Sequence, residues 1–178
     1  MKDKSVKRRG FTLIELILVL TLMGIIFGIA LPRVESLSPK YAMRSAARSI
    51  ASTLQYIQSQ AILQGKTFAI IYDFRRSQYI PVMPPKEGEA YIPFEDWPRG
   101  EPLSLPKLVR FYAVIRADNS EFRADDLDEV PIRIDPLGSS GSHVVVLVNT
   151  LGQVISVKFN ALTNTVDFYE GVAEFARL

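Results

Sequence analysis

The sequence of 178 residues contains no cysteine and only one histidine. The absence of cysteine excludes a disulfide scaffold, a thiol nucleophile and a cysteine-ligated metal. The sequence also has no Gly-x-Ser-x-Gly motif, no phosphate-binding glycine loop and no cluster with metal-ligand spacing. The apolar share of 48% and the charged share of 22% are ordinary for a globular protein, which excludes a chain that is disordered throughout. These absences predict a protein that is not an enzyme and that needs no cofactor and no metal.

The single histidine, His143, lies beside Gly141 and Ser142 and close to Ser139 and Ser140. A lone histidine in a turn is typical of a surface residue, and turn chemistry explains serines at such positions. Nothing in the sequence supplies the base and the orienting group that a nucleophilic serine needs. We therefore expect His143 to be an exposed turn residue without a catalytic role.

The N-terminal region combines a basic stretch with a long apolar run. Residues 2–9 carry five basic side chains and one acid, Gly10 follows, and 16 of the 21 residues over 11–31 are apolar. A helix of that length spans about 31 Å, which matches the hydrocarbon core of a bilayer. The pattern predicts a transmembrane helix over 11–31. Lys7, Arg8 and Arg9 are expected to keep the N-terminus in the cytoplasm and to direct the C-terminal part outside the membrane.

Glu15 is the charged residue inside this apolar run. A secretory signal peptide would have a shorter apolar region and a clear small-residue cleavage site, and residues 28–30 provide only a weak one. A carboxylate within an apolar helix is costly unless it lies near the interface or meets a cation. Residue chemistry therefore leaves two roles open for Glu15. It either extends toward the interface or has a cationic partner.

Residues 8–16 read Arg-Arg-Gly-Phe-Thr-Leu-Ile-Glu-Leu. This order resembles the prepilin processing motif of type IV pilins and of type II secretion pseudopilins. The resemblance implies that a membrane prepilin peptidase removes the leader, residues 1–10, by cutting between Gly10 and Phe11, and that it methylates the Phe11 amine. It also implies that Glu15 pairs with a positively charged N-terminal amine and sets the register of subunits in a filament.

Removal of the leader changes the charge of the chain. The whole sequence has 21 basic and 19 acidic residues, a formal charge of +2. The leader holds five of the bases and one of the acids, so residues 11–178 have 16 basic and 18 acidic side chains, a formal −2. Because the mature chain is nearly neutral, nucleic acid is not its expected partner.

Residues 32–65 predict an amphipathic extension of the helix. Pro32 can kink the helix, and Ser38-Pro39 has the form of a helix start with a serine cap. Arg44, Arg48, Gln55 and Gln58 are expected on the other faces, and Gly65 at the C-terminal cap. One apolar stripe, which favours packing on the chain's own sheet over a coiled coil, has alternating spacings of four and three residues: Met43, Ala47, Ile50, Leu54, Ile57 and Ala61.

Residues 66–178 predict a β-rich head. We expect a hairpin over 66–82 and strands over 110–116, 130–135, 144–148, 154–159 and 165–169, all as parts of one sheet. Seven prolines between positions 81 and 106 exclude a helix or a central strand and predict a long loop. Residues 117–129 predict a second, acidic loop, whose carboxylates lack the spacing of a calcium-binding loop.

Parts of the head resemble H-type minor pseudopilins of type II secretion and FimT-like minor pilins. These parts are residues 134–139, residues 151–154, and residues 160–166, in which Asn164 stands where glycine is usual. Asparagine also tolerates a left-handed backbone. The resemblance implies an α+β, pilin-like fold in which a long N-terminal helix, transmembrane and then amphipathic, packs on an antiparallel β-sheet.

The resemblance further implies a structural role. The expected protein is a minor pseudopilin of type II secretion, a single-pass inner-membrane protein with a periplasmic head that is incorporated into a periplasmic pseudopilus. Its expected partners are the prepilin peptidase, other major and minor pseudopilins and the inner-membrane assembly platform. One alternative is a minor type IV pilin that takes part in pilus assembly or DNA uptake, with Arg75-Arg76 or Lys107 and Arg110 as DNA contacts. Another is a single-pass anchored protein with a different role.

Overall fold

The computed structural model describes residues 12–89 and 91–173. Within these residues, one long helix, α1, covers Leu13–Gln64, and nine strands follow it. The chain divides into two compact units, one that ends at Ser38 and one that begins at Pro39. No helix within the described part of the chain is both long enough and apolar enough to cross a membrane.

Helix α1 is continuous through Pro32 and Pro39. The predicted helix start at Ser38-Pro39 is therefore wrong. A proline removes only one backbone donor from a helix, so the hydrogen bonds on either side can keep the segment helical. The kink at Pro32 stays a prediction.

The second half of α1 packs against the sheets through the predicted stripe. All six stripe residues are buried, and Ala46 and Ala51 widen the buried face. Arg44, Arg48 and Gln55 are exposed, as predicted. The helix ends in a Schellman motif, in which the Lys66 amide donates to the Ala61 carbonyl and Gly65 has a φ of +62°. The cap at Gly65 is thus confirmed.

The strands form two antiparallel sheets, so the expectation of one sheet is wrong. The strand bounds are β1 Phe68–Asp73, β2 Gln78–Val82, β3 Leu103–Ser104, β4 Val109–Arg116, β5 Glu121–Arg123, β6 Glu129–Ile134, β7 His143–Asn149, β8 Val154–Asn160 and β9 Thr165–Glu170. The first sheet has the order β3-β2-β1-β6 and the second the order β5-β4-β7-β8-β9. Strand periodicity predicts which residues are buried and does not predict which strands pair.

One main core joins the helix to both sheets. It contains the helix stripe, side chains of β1 and β6 from the first sheet, and side chains of β4, β7 and β8 from the second. The α+β, pilin-like arrangement of a helix on antiparallel sheets is therefore confirmed. The predicted hairpin is formed by β1 and β2, and the last three strands, β7, β8 and β9, pair in sequence order.

The proline-rich segment covers the outer face of the first sheet. Phe94 and Trp97 pack on a small apolar cluster formed by β1 and β2, and the Arg133 guanidinium lies 4.5 Å from the centre of the Phe94 ring. The segment returns beside β2, where the Gly100 amide donates to the Pro81 carbonyl at 2.7 Å. Its only regular structure within the described residues is one 3-10 turn and strand β3. This agrees with the predicted loop with short strands at most.

The acidic segment over 117–129 is less of a loop than expected. Strand β5 lies inside it and pairs with β4, and Asn119 turns the chain between them with a φ of +63°. The Arg116 amide donates to the Ser120 carbonyl at 3.0 Å, which closes that turn. The high charge density of the segment led to the prediction of a loop. It is compatible with a short edge strand, because edge strands tolerate charged residues.

Candidate assembly and interaction sites

The N-terminus of α1 is capped by Thr12. The Glu15 amide donates to the Thr12 carbonyl oxygen at 3.1 Å and lies 3.4 Å from Thr12 Oγ1. Thr12 and Glu15 therefore have the spacing of a capping box, a signal that was present in the sequence and was missed. The Glu15 carboxylate lies in the first helical turn, where the helix dipole favours negative charge. In the sequence, the acid follows the predicted mature N-terminus, Phe11, by four residues.

The helix after this cap exposes apolar side chains on all sides. Every side chain over 13–25 is exposed, including those of Leu16, Leu20 and Met23. The Thr21 hydroxyl donates to the Ile17 carbonyl at 2.8 Å, so its hydrogen bond is made within the helix. A helix that is apolar all round is typical of one that a membrane or neighbouring helices bury.

The residues predicted to direct processing and topology are not among those that the structure describes. Gly10, Phe11, Lys7, Arg8 and Arg9 all lie outside the described residues. Their roles stay predictions that rest on the sequence motif.

The Asp135 carboxylate organises the loop between β6 and β7. It accepts hydrogen bonds from the amides of Leu137, Ser139 and Ser140 and from Ser139 Oγ. Partial burial raises the pKa of Asp135, but hydrogen bonds from Ser140 and Ser139 outweigh this effect and lower the pKa to about 2. The aspartate is therefore an ionised turn element, and two of the clustered serines serve the turn as predicted.

Gly138 brings this loop against the turn between β8 and β9. Its φ is +71°, and a Cβ on it would lie 2.5 Å from Leu162 Cα and 2.7 Å from the Ala161 carbonyl oxygen. Only glycine satisfies both conditions. Two of the head segments that resemble H-type pseudopilins thus meet in space, and we call residues 135–140 and 160–164 the turn junction.

Polar side chains of α1 fasten the helix to the turn junction. Gln55 Nε2 donates to the Asn164 carbonyl, and Asn164 Nδ2 donates to Ser59 Oγ, both at 3.3 Å. Asn164 has a φ of +52°, which confirms its predicted left-handed backbone. Gln58 is 1% exposed, so its predicted position away from the buried face is wrong. Its Nε2 reaches inward and donates to the Asp135 carbonyl at 3.1 Å, whereas its buried Oε1 has no hydrogen-bond partner among the described residues.

His143 is buried between the two sheets, and its predicted surface position is wrong. Its Nδ1 donates to the Gly141 carbonyl at 2.6 Å, and Tyr72 of the first sheet donates its hydroxyl hydrogen to Nε2 at 2.7 Å. Burial lowers the pKa of His143 to about 4; the Gly141 carbonyl opposes this shift and the charge of Arg116 adds to it. Burial also raises the pKa of Tyr72, so the phenol keeps the proton that it donates. The pair is a neutral link between the sheets.

The sequence signal for this burial was the apolar run that His143 begins. Residues 144–148 are all apolar and all buried in β7. The neighbouring Ser142 Oγ accepts a hydrogen bond from the Ala161 amide at 2.9 Å. Both histidine nitrogens and this hydroxyl therefore have structural partners.

Two carboxylates of the acidic segment, Asp118 and Glu121, are engaged with neighbouring groups. Asp118 accepts hydrogen bonds from the amide and hydroxyl of Ser120, which lower the pKa of Asp118. Glu121 pairs with Arg123 at 2.8 Å. Within the residues that the structure describes, no three histidine, aspartate or glutamate side chains are grouped to hold a metal ion.

The basic residues that sequence analysis offered as DNA contacts come together in part. Arg76, Lys107 and Arg110 line one depression of about 540 Å³, beside Asn149 and Thr150. Arg75 does not line it and instead lies 3.7 Å from Asp128. The two candidate basic sites are thus one surface, except for Arg75.

Comparison with known proteins finds one family model that matches the N-terminus and relatives that match larger parts of the chain. Residues 6–31 match the family model described as the prokaryotic N-terminal methylation motif. The pilin-like protein PilA1 of Thermus thermophilus is 46% identical over 92 residues, which are 51% of this chain and 57% of that relative. The type II secretion system protein H of Klebsiella pneumoniae is 26% identical over 159 residues, 87% of this chain and 92% of that relative.

The comparison with solved structures gave no significant match. The match to PilA1 spans little more than half the length of that relative, and the match to protein H spans nearly all of it. This chain therefore combines a prokaryotic N-terminal methylation motif and a helix on antiparallel sheets with similarity to protein H of type II secretion along most of its length.

Proposed function

We propose that this chain is a minor pseudopilin, a structural subunit of the type II secretion pseudopilus that is assembled through its N-terminal helix. The observation that carries the proposal is the methylation motif over 6–31, which includes an apolar helical segment whose side chains are exposed over 13–25. The similarity to protein H along 87% of the chain supports a secretion pseudopilus over a pilus. The role is structural, because assembly needs surfaces and no reacting groups.

The N-terminus is processed between Gly10 and Phe11 by the prepilin peptidase, and the Phe11 amine is methylated. Gly10→Leu should leave the leader attached, since a bulky side chain blocks the close approach of the backbone to the peptidase. Intact-mass spectrometry of the protein from cells with the peptidase measures this directly. Gly24→Leu is the control, because Gly24 lies within α1, away from the cut, with open space around it. Normal cutting of Gly10→Leu, or a wild-type N-terminus at Met1, would overturn the claim.

Glu15 sets subunit register by pairing with a positive N-terminal amine. Its place in the first turn of α1 supports this role, because that turn begins two residues after Phe11 in the sequence. Glu15→Gln should be processed normally and incorporated poorly into filaments. Thr12→Ala is the matched control, since it removes the cap and keeps the carboxylate. Equal incorporation of both variants in a pull-down of sheared filaments would reduce Glu15 to a helix-capping residue.

The protein crosses the inner membrane once and displays its head in the periplasm. Lys7, Arg8 and Arg9 hold the leader in the cytoplasm, and Pro32 kinks the helix beyond the span. A C-terminal alkaline phosphatase fusion should be active, and reversal of the three basic charges should lower that activity. An inactive fusion with the native leader would contradict this topology. The partners are the prepilin peptidase, other pseudopilins and the inner-membrane assembly platform.

A second candidate function is a minor type IV pilin that binds DNA. The convergence of Arg76, Lys107 and Arg110 on one depression favours it. Three phosphate contacts would give weak, salt-sensitive binding. A gel-shift titration of the full chain in detergent, with Lys107→Glu/Arg110→Glu as the variant, tests it. Binding at physiological salt that this variant abolishes would favour the pilin role.

A further inference from the structure

A basic groove runs between α1 and the last two strands of the second sheet. Lys40, Arg44 and Arg48 follow one another at intervals of four residues, so they lie on one face of the helix. Opposite them are Phe168 and Glu170 of β9. The space between comprises a cleft of about 260 Å³ and an adjoining cleft of about 160 Å³ that share Arg44, Ile155 and Glu170.

The groove combines unneutralised positive charge with an apolar floor. No described residue forms an ion pair with any of the three cations. Glu170 is the acid that lines both clefts, so the lining has a net formal charge of about +2. Ala47 and Ile155 form part of the floor. Such a lining suits a ligand that presents several carboxylates on one side and small apolar groups on the other.

The far wall of the groove is a sheet edge. Strand β9 pairs with β8 on one side, and no described residue pairs with its other side. It is six residues long, and its Phe168 and Tyr169 side chains are 47% and 44% exposed. An edge strand of this length has unpaired backbone donors and acceptors that an extended peptide can use.

We propose that the groove binds an extended acidic segment of a partner protein, which adds a strand to β9. Alternate acidic side chains of that segment face Lys40, Arg44 and Arg48, because side chains alternate between the two sides of a strand. The cations select an acidic sequence, and the backbone of β9 selects an extended one.

The chemistry of the groove differs from that of the depression at Arg76. The lining of that depression includes residues of β4 and β7, which pair with each other, and it contains no aromatic side chain. The depression at Arg76 therefore has positive charge but does not include the outer edge of β9. A peptide strand is favoured at the groove because the positive charge and the strand edge occur there together.

The test uses the full chain in detergent micelles and a fluorescein-labelled heptapeptide of alternating glutamate and valine. Fluorescence anisotropy at physiological salt should show saturable binding, and amide hydrogen exchange of β9 should slow when the peptide is present. Arg44→Glu/Arg48→Glu should weaken binding about tenfold or more, since two exposed ion pairs become repulsive. Arg75→Glu/Arg76→Glu is the charge-matched control, and it should change the affinity by less than about twofold. A peptide with proline in place of each valine keeps the charge, cannot pair as a strand and should not bind.

Three results would overturn the proposal. The first is no binding of the heptapeptide, or equal binding of the proline peptide, which would show charge attraction without strand addition. The second is tighter binding of a single-stranded oligonucleotide that Arg44→Glu/Arg48→Glu abolishes, which would assign the groove to nucleic acid. The third is self-association in sedimentation experiments that this variant abolishes, which would assign the groove to a second copy. None of these outcomes depends on cleavage at Gly10 or on filament assembly.

Discussion

The two ends of α1 differ in what buries them, although one uninterrupted helix contains both. Over 13–25 apolar side chains are exposed on every side, as Leu20 is at 61%. Over 43–61 apolar side chains form one face, and Leu54 in that face is fully buried by the chain's own sheets. The polar residues differ in the same way. Thr21 bonds within the helix, whereas Ser49 bonds across to Tyr79 of β2 at 2.7 Å.

This difference distinguishes the apolar helix surface that the chain buries by itself from the apolar helix surface that it leaves exposed. The C-terminal half of the helix has its partners in the same chain, so its burial contributes to the stability of the head. The N-terminal half has an apolar surface that needs a membrane or other helices. A substitution in the N-terminal half should therefore change assembly, and the same substitution in the C-terminal half should change folding. Paired substitutions test that division.

The largest effect is expected from glycine substitutions. Gly138→Ala places a Cβ against the backbone of Leu162 at a φ of +71°, and it should cost about 4 kcal/mol or more of the free energy of unfolding. Gly24→Ala in the apolar region meets nothing within 4 Å and should leave head unfolding unchanged. Urea unfolding of the full chain in detergent, followed by tyrosine fluorescence, measures both. Similar stability of the two variants would show that the close approach at Gly138 is not needed for the stability of the head.

A leucine pair should give the next largest difference. Leu54→Ala creates a cavity in the main core and should lower the free energy of unfolding by about 3 to 4 kcal/mol. Leu20→Ala removes the same atoms from an exposed position and should leave it unchanged within about 0.5 kcal/mol. The same urea titration reports both values. A large loss of head stability in Leu20→Ala would mean that the head depends on the N-terminal segment.

Acid should weaken the head through His143. Its pKa is about 4 when folded against an ordinary 6.5, so the unfolded chain binds the proton more readily between these values. Stability should therefore be constant above about pH 6.5 and should fall by roughly 3 kcal/mol on going down to pH 4. Asp135 has a folded pKa of about 2 against an ordinary 3.8, so its contribution to the free energy of unfolding is lost only as the pH falls from about 3.8 to about 2. His143→Gln should flatten the profile of urea midpoints over pH 4–7, and an unchanged slope in that variant would assign the effect elsewhere.

The smallest expected effect is from a pair of hydroxyl deletions. Ser49→Ala removes the partner of the Tyr79 hydroxyl and should cost about 1 kcal/mol. Thr21→Ala removes a hydrogen bond that stays within the apolar helix and should not affect head unfolding. Both are measured as shifts of the urea midpoint at constant slope. A shift in Thr21→Ala as large as that in Ser49→Ala would contradict the division of α1 into two regions.

Local patterns carried much of the information about this molecule. The processing motif around Gly10, the helix stripe from Met43 to Ala61 and the strand segments can all be read from neighbouring residues. The left-handed backbone of Asn164 and the cap at Gly65 follow from the conformational preferences of single residues. The Thr12–Glu15 capping box was equally local, and it was overlooked although its spacing was visible.

The tertiary structure decided which distant residues meet. It divided the strands between two sheets, buried His143 against Tyr72, turned Gln58 toward Asp135 and joined Arg76, Lys107 and Arg110 in one depression. It also placed three helix cations opposite the outer edge of β9. A sequence pattern states which side chain can be buried or charged. The partner that satisfies it is chosen by long-range packing, because that choice depends on the whole core at once.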